Sequence, residues 1–554
     1  MPRLLRVAAS AALLVSVATL LSRLVGFGRW LVFSPTVGAG AVGTAYQSAN
    51  LVPNILYEVI AGGALAGAVV PLLAGPLARA DTATASRIAS ALLTWSVTLT
   101  LPLAVLVAVF REPLARMLLD HETEVAYGAG FLLVFAPQLV FYGIGGVLTG
   151  VLQAHRRFLW PAFMPLLSSL IVIGVYVGYA RLRGPEVATE DSGALALLGW
   201  GTTAGVIALA LPLALPTLRT GLRLRPSWRC PDGVAARAVR LAGAGMTVLL
   251  AQQAAMLVIM VVSNNVGGRG VFVVFSYIQA VYLLPYAVLA IPVATVAFPR
   301  LSELAASARP RSGPAAPEAP GAPAETVGDG AGPGTVDEAI AKTSRLVVAL
   351  GFAGAALLAA AATPLEDFFS GLDAARADSD VPFDALGDTV RVIAWAVPGW
   401  CFVAWGTRVF YALERSRTAA LATSIGWGAV ALGVVAGIPL VAHDPAPRTL
   451  VLLGAAHVAG MTIAGTTLIG GIIRVQGGAT AAGMPRTAAV AGVGAVLGAV
   501  LGTLTAGGVG DALGGGPAVT VVAGAAGGAV ALILVLVCVT VADRGTLAHV
   551  RALR

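Results

Sequence analysis

Apolar residues run through this chain in stretches of about twenty, each long enough to carry a helix across a hydrocarbon core of about 30 Å. They fall near 8–31, 43–75, 86–110, 126–154, 160–180, 194–218, 239–264, 271–302, 344–363, 388–413, 418–441, 449–473, 486–507 and 517–541. With no water to satisfy backbone polar groups, such segments must be helices. The pattern predicts an all-α integral membrane protein of about fourteen crossings.

The polar interruptions alternate in charge. One set holds Arg3 and Arg6, Arg79 and Arg87, Arg156 and Arg157, residues 219–237 with five arginines, Arg415 and Arg417, Arg474 and Arg486, and Arg544, Arg551 and Arg554. The other set carries Asp120, Glu122 and Glu124, then Glu186, Glu190 and Asp191, then Asp373, Asp378, Asp380, Asp384 and Asp388. Basic loops stay on the cytoplasmic side. Both termini are therefore expected in the cytoplasm.

Residues 306–340, rich in Pro, Ala and Gly, are expected to form a disordered cytoplasmic linker, because they offer nothing to bury. A weak repeat spans this interruption. TGVLQAHRR from Thr149 matches TRVFYALER from Thr407, and AVVPLL around Pro71 matches VAFPRL around Pro299. The expected organisation is two parallel six-helix bundles, 1–225 and 226–480, followed by two further helices in 481–554. Repeated bundles with a site between them are a common transporter plan.

Composition agrees with the pattern. Of 554 residues, 58% are apolar and 11% charged, against about 25% charged in soluble domains. The net charge of +8 is explained by arginines at helix ends, and nucleic acid is not an expected partner. Cys230, Cys401 and Cys538 form no CxxC pair, which argues against a metal site or a disulfide framework. The apolar run after Arg3 and Arg6 lacks a clean cleavage motif and is expected to remain as the first helix. No P-loop, HExxH or suitably placed GxSxG is present, so neither ATP hydrolysis nor covalent catalysis is expected. No cofactor is expected either, and a membrane potential or ion gradient would have to drive transport. Asp378-Ser379-Asp380 has the DxD form used by glycosyltransferases, but it lies among other acids, where a solvated loop accounts for it.

Charge inside the apolar segments is the informative exception. At about 1.5 Å per residue, Arg23 lies roughly 24 Å along the first helix and Arg29 roughly 33 Å. A charge at bilayer depth costs at least about 2.5–3.5 kcal/mol unless it faces protein or water. Guanidinium matches phosphate geometry, so Arg23 and Arg29 are candidates for holding an anionic headgroup; Arg29 also fits simple snorkelling. Glu58, descending on the second helix to a depth near Arg23, is read either as that arginine's neutralising partner or as a coupling group. Asn54 joins Arg23 and Arg29 as a substrate-binding candidate. Pro53 and Gly62-Gly63 can bend this helix and open a chamber.

Several motifs resemble one family. SRLVGFGR from Ser22, the Gly-Ala-Gly link at 38–40, PNIL from Pro53, GVLQAHRRF from Gly150, VAFPRLS from Val296 and RVFYALERSRT from Arg408 are similar, in order, to those of the MurJ/MviN lipid II flippases. The resemblance implies two bundles around a central cavity, a lipid-tail groove formed by the last two helices, and alternating access. It implies lipid II, the undecaprenyl-diphosphate peptidoglycan precursor, as substrate, and wall-synthesis proteins as partners. Departures stand at Trp30, where the family commonly has an acid, and at Tyr57 and Glu58, where it has a basic pair. Ala280 also replaces a usual arginine. These leave export of another lipid-linked glycan as the alternative, beside a membrane glycosyltransferase or a non-transporting scaffold.

Overall fold

The computed structural model describes residues 2–59, 66–183, 192–308, 335–373, 381–514 and 516–542. Among them every regular element is helical. The first group comprises α1 (Pro2–Thr36), α2 (Ala41–Tyr57), α3 (Ala66–Ala78), α4 (Thr82–Val109), α5 (Arg111–Leu118), α6 (Glu122–Phe135), α7 (Gln138–Ala154), α8 (Leu159–Arg183), α9 (Ser192–Ala210) and α10 (Ala214–Leu218). The second comprises α11 (Val234–Val262), α12 (Val271–Pro285), α13 (Ile291–Ser307), α14 (Val336–Ala360), α15 (Ala362–Asp373), α16 (Leu386–Ile393), α17 (Val397–Ala412), α18 (Ser416–Gly437) and α19 (Pro445–Gln476). A closing pair, α20 (Met484–Leu513) and α21 (Pro517–Ala542), follows.

Among the described residues the expected apolar segments are helical, but several are broken. Eleven helices among the described residues are long and apolar enough to cross a membrane, or twelve with α6 and α7 taken as one span bent by 41°. The chain is thus a multi-pass membrane protein. Helix α1 and the α2–α3 pair stand outside that count. The breaks follow the sequence: α2 gives way to a π turn at Glu58–Val59 beyond the buried Pro53. Helix α12 passes through Pro285 into a π turn at Tyr286–Ala290. Such turns occur mostly at functional positions, and these two fall in the segments that the Pro71/Pro299 repeat pairs.

The linker expected over 306–340 is shorter at both ends. Helix α13 continues to Ser307, and α14 begins at Val336 because Thr335 caps it, its hydroxyl accepting from the Glu338 amide at 3.2 Å. Thr335-x-x-Glu338 is a capping-box pattern. Residues 309–334 lie outside the described residues, as do Glu186, Glu190, Asp191 and the Asp378-Ser379-Asp380 motif.

Helices α20 and α21 pack on each other and on α14, with small residues at four-residue spacing in the seam. A Cβ on Gly502 would lie 2.6 Å from the Gly527 carbonyl oxygen, and one on Gly498 would lie 2.8 Å from that of Ala531. Backbones approach this closely only where side chains are absent. Gly502→Ala is expected to lower stability by about 1–3 kcal/mol through overpacking, read as a lower unfolding temperature of the purified protein in detergent.

Candidate functional site

Helix α1 ends and α2 begins at the same end of the molecule, where the acidic helices α5, α6, α15 and α16 also gather. We call this the acidic end and its opposite the basic end. Counting back from Thr36 at about 1.5 Å per residue, Arg29 lies roughly 10 Å and Arg23 roughly 20 Å from the acidic end. Counted from Ala41, Asn54 lies roughly 20 Å in and Glu58 roughly 26 Å. By depth, Arg29 lies nearest the acidic end, Arg23 and Asn54 lie about level, and Glu58 lies deepest toward the basic end.

Arg29 is half-buried and lies within electrostatic reach of Tyr176, Tyr46 and Tyr142. Among the described residues no carboxylate forms an ion pair with it. The phenols are held in place by one another. The Tyr46 hydroxyl lies 3.1 Å from that of Tyr176 and 2.8 Å from that of Thr202. Tyr142 donates to Asn54 Oδ1 at 3.1 Å and packs its ring against Tyr57 at 4.4 Å. Asn54 is thus committed to fixing α7 against α2.

Arg23 is exposed and stands apart from this cluster. It faces Tyr286, in the π turn after α12, which also faces Arg408 of α17. Arg408 donates to the Ala404 carbonyl of its own helix at 2.7 Å. Glu58 is exposed too, and among the described residues it makes no ion pair with Arg23. It lies near Tyr57 and Tyr142, of which Tyr142 is also within reach of Arg29. A Cβ at Gly26 or Gly28 would meet nothing within 4 Å, so this stretch of α1 borders open space.

The acidic end is closed. Phe33 packs against Tyr46 and Tyr176 at 5.8 and 5.3 Å, while Trp30 meets Tyr277 of α12 edge-on at 5.6 Å. Tyr277 in turn stacks on Phe369 at 5.0 Å. Trp30, standing where an acid was the familiar residue, therefore joins the two helix groups through an aromatic contact. Polar contacts reinforce the closure. Arg269, in the short link between α11 and α12, is half-buried, and its Nε donates to buried Glu124 at 2.8 Å. Asn264 donates to Ser48 Oγ at 2.7 Å and to the Leu118 carbonyl at 2.8 Å, and the Gly270 amide donates to Thr44 Oγ1 at 3.1 Å.

Other polar residues in the spans are structural. Gln138 donates to Thr203 at 2.9 Å between helices. His457 is fully buried among Phe275, Tyr282 and Trp427, and its Nδ1 lies 2.8 Å from the Leu453 carbonyl. No group of three or more His, Cys, Asp or Glu among the described residues could hold a metal ion.

Sequence alone missed the three phenols and the Glu124–Arg269 pair. Their partners are far apart in the chain, and no local spacing announces them.

This arrangement has known relatives. The family model described as "Lipid II flippase MurJ" matches residues 33–467. The probable lipid II flippase MurJ of Synechocystis sp. is 31% identical over 233 residues, covering 39% of this chain and 42% of that protein. The lipid II flippase MurJ of Burkholderia cenocepacia is 27% identical over 314 residues, covering 53% of this chain and 57% of its own. The chain spans about half the length of these curated relatives. Among solved structures, a lipid II flippase MurJ in an inward closed conformation superposes with a TM-score of 0.72 at 16% identity, covering 97% of this chain and 100% of that one. An inward-facing MATE family multidrug transporter superposes with a TM-score of 0.60 at 12% identity, covering 84% of this chain and 98% of that one. The fold is that of these transporters, and the match of the family model over most of the sequence places this chain in the MurJ family of lipid II flippases.

Proposed function

We propose that this protein carries lipid II from the inner to the outer leaflet of a bacterial plasma membrane by alternating access, with both termini in the cytoplasm. The observation that carries this reading is Arg29, a guanidinium in the first helix close to three phenols and with no ion-pair partner among the described residues. An uncompensated cation there is costly, and an anionic ligand supplies the missing charge. A diphosphate suits the planar fork of arginine, and phenolic hydroxyls add donors. Arg23, nearer the basic end, would meet the headgroup first and pass it to Arg29. The undecaprenyl tail would stay in lipid beside α20 and α21. The aromatic and polar closure at the acidic end would be the outer gate, opening only when the basic end closes.

No cofactor takes part in this proposal; a membrane potential or ion gradient drives the cycle. Glu58 is the group suited to coupling, because it lies near the Arg29 cluster through Tyr142 yet holds no ion pair among the described residues. Glu58→Gln is expected to slow transport about tenfold, the effect of about 1.4 kcal/mol on the rate-limiting barrier. Its residual rate should no longer follow the imposed gradient. A Glu58→Gln protein whose rate still tracks the gradient removes Glu58 from coupling.

The function itself is tested by depleting the protein in its host and measuring lipid II exposed on the outer leaflet. Exposure should fall and return with plasmid-borne wild type. Unchanged exposure, in a host with no second flippase, overturns the lipid II reading and favours another lipid-linked glycan. Tyr57 and Glu58 make that the second reading, because they remove positive charge from the cavity wall. Wall-synthesis enzymes that supply or consume the lipid are the expected partners.

A further inference from the structure

Residues 219–233 connect α10 to α11, yet they are held as firmly as a strand in a sheet. The Arg223 amide donates to Ser86 Oγ at 3.1 Å, that of Arg225 to Ser90 Oγ at 3.0 Å, and that of Ser227 to Thr94 Oγ1 at 2.9 Å. The three hydroxyls stand one helical turn apart on α4. Four helical residues rise about 6 Å and two extended residues about 6.6 Å, so the two periods run in register. The Trp95 Nε1–H closes the series on the Trp228 carbonyl at 3.2 Å. Leu222 and Leu224 turn inward onto the core beside Ile88 and Leu72.

The outward residues are of one kind. Arg219, Arg223, Arg225, Arg229 and Arg237 are all exposed, and Trp228 is 64% exposed. Asp232 is the one acid between 219 and 237. Asp81, on the neighbouring turn, is occupied as the cap of α4. It accepts from the Thr84 amide at 2.9 Å, a bond that holds its carboxyl below the usual carboxylate range.

The length of α4 sets the level of this surface. Its 28 residues span about 42 Å, more than a hydrocarbon core of about 30 Å needs. The uncharged stretch begins at Ile88, directly after Arg87, and at about 33 Å to Val109 it fits the core with little to spare, so the turn holding Arg87 projects beyond it. Ser90 and the Arg225 pinned to it then lie near the boundary, with Arg223 one step above it and Trp95 and Trp228 about 7 Å further in, toward the membrane, where indole rings favour the interface.

We propose that this pinned strap is a docking surface for anionic phospholipid headgroups of the leaflet at the basic end. Charge complementarity and the exposed indole just inside the boundary select that occupant. The strap's rigidity makes it a site, because the arginines are presented at a fixed two-residue spacing.

The test uses the full chain in nanodiscs of mixed phosphatidylcholine and phosphatidylglycerol, with the retained lipids counted by native mass spectrometry. Wild type should retain phosphatidylglycerol over phosphatidylcholine by about fivefold or more, falling as salt rises. The triple variant R223Q/R225Q/R229Q should bring the ratio close to one, while R415Q/R417Q, also at exposed basic-end positions, should leave it unchanged. Ser90→Val with Thr94→Val keeps every arginine and removes two of the three hydroxyl pins, those under Arg225 and Ser227; it too should lower the ratio. Unfolding temperatures in neutral detergent confirm that each variant is folded. Enrichment that survives the triple variant overturns the proposal. So does enrichment unchanged by S90V/T94V, which would reduce the effect to net charge, and so does an arginine-dependent ligand that proves to be a protein.

Discussion

Arg29→Ala should reduce lipid II exposure on the outer leaflet by about a hundredfold while leaving the protein folded and in the membrane. A charge-assisted pair with a buried anion is worth about 2–5 kcal/mol when one partner is removed, and the lower half of that range already gives this factor. Folding should survive because the guanidinium makes no ion pair among the described residues, and Tyr46, Tyr142 and Tyr176 are held by Thr202, Asn54 and each other. Arg29→Lys should recover part of the rate, since it restores charge without the planar fork. Tyr142→Phe separates two roles. If the phenol contributes a donor to the substrate, the rate falls. If it serves only to fix Asn54, Asn54→Ala should reproduce the whole effect. Unimpaired exposure with Arg29→Ala, checked for expression, would sink the headgroup assignment.

Arg269→Ala should open the acidic end. Glu124 is 2% exposed and Arg269 is its ion-pair partner. Removing one member of such a pair typically costs about 3–5 kcal/mol, because the other charge stays buried. The cost falls on the closed state alone, so the closed-to-open ratio should drop by at least about a hundredfold. A cysteine placed at Ser48 or Thr44, both fully buried, would report this as faster labelling by a membrane-impermeant thiol reagent added on that side. Cys230, Cys401 and Cys538 would first be changed to Ser or Ala. Adding Glu124→Gln to Arg269→Ala should restore much of the closure by removing the stranded charge. If Arg269→Ala labels no faster than wild type, the aromatic contacts around Trp30 and Tyr277 hold the gate by themselves.

The helices were legible because one requirement dominates: apolar segments in lipid must satisfy their own backbone. The break after Pro53 and the charges at Arg23, Arg29 and Glu58 were legible for the complementary reason, each being out of place in such a segment. What those charges face was hidden. Tyr46 and Tyr176 lie 130 residues apart, and Glu124 and Arg269 lie 145 apart. Each is unremarkable in its own segment, and their meeting depends on how helices are arranged in space. Arg269 shows the failure most plainly, since a polar residue in a short link reads as solvated until its partner is known. Thr335 and Glu338 are the opposite case. The cap was written in four residues, but the surrounding composition of proline and glycine obscured it.

The strap on α4 has a mechanical consequence. Residues 219–233 are the only covalent connection between the first helix group and the second, and down to Ser227 they are fastened to the first. Whatever angle the two groups swing through, the connector cannot share it along its length. The part of the connector left unpinned is the few residues before α11, where Gly233 has a φ of +75° and open space around it. A long slack connector would permit the groups to slide or separate. A short one clamped on one side limits how far they can part.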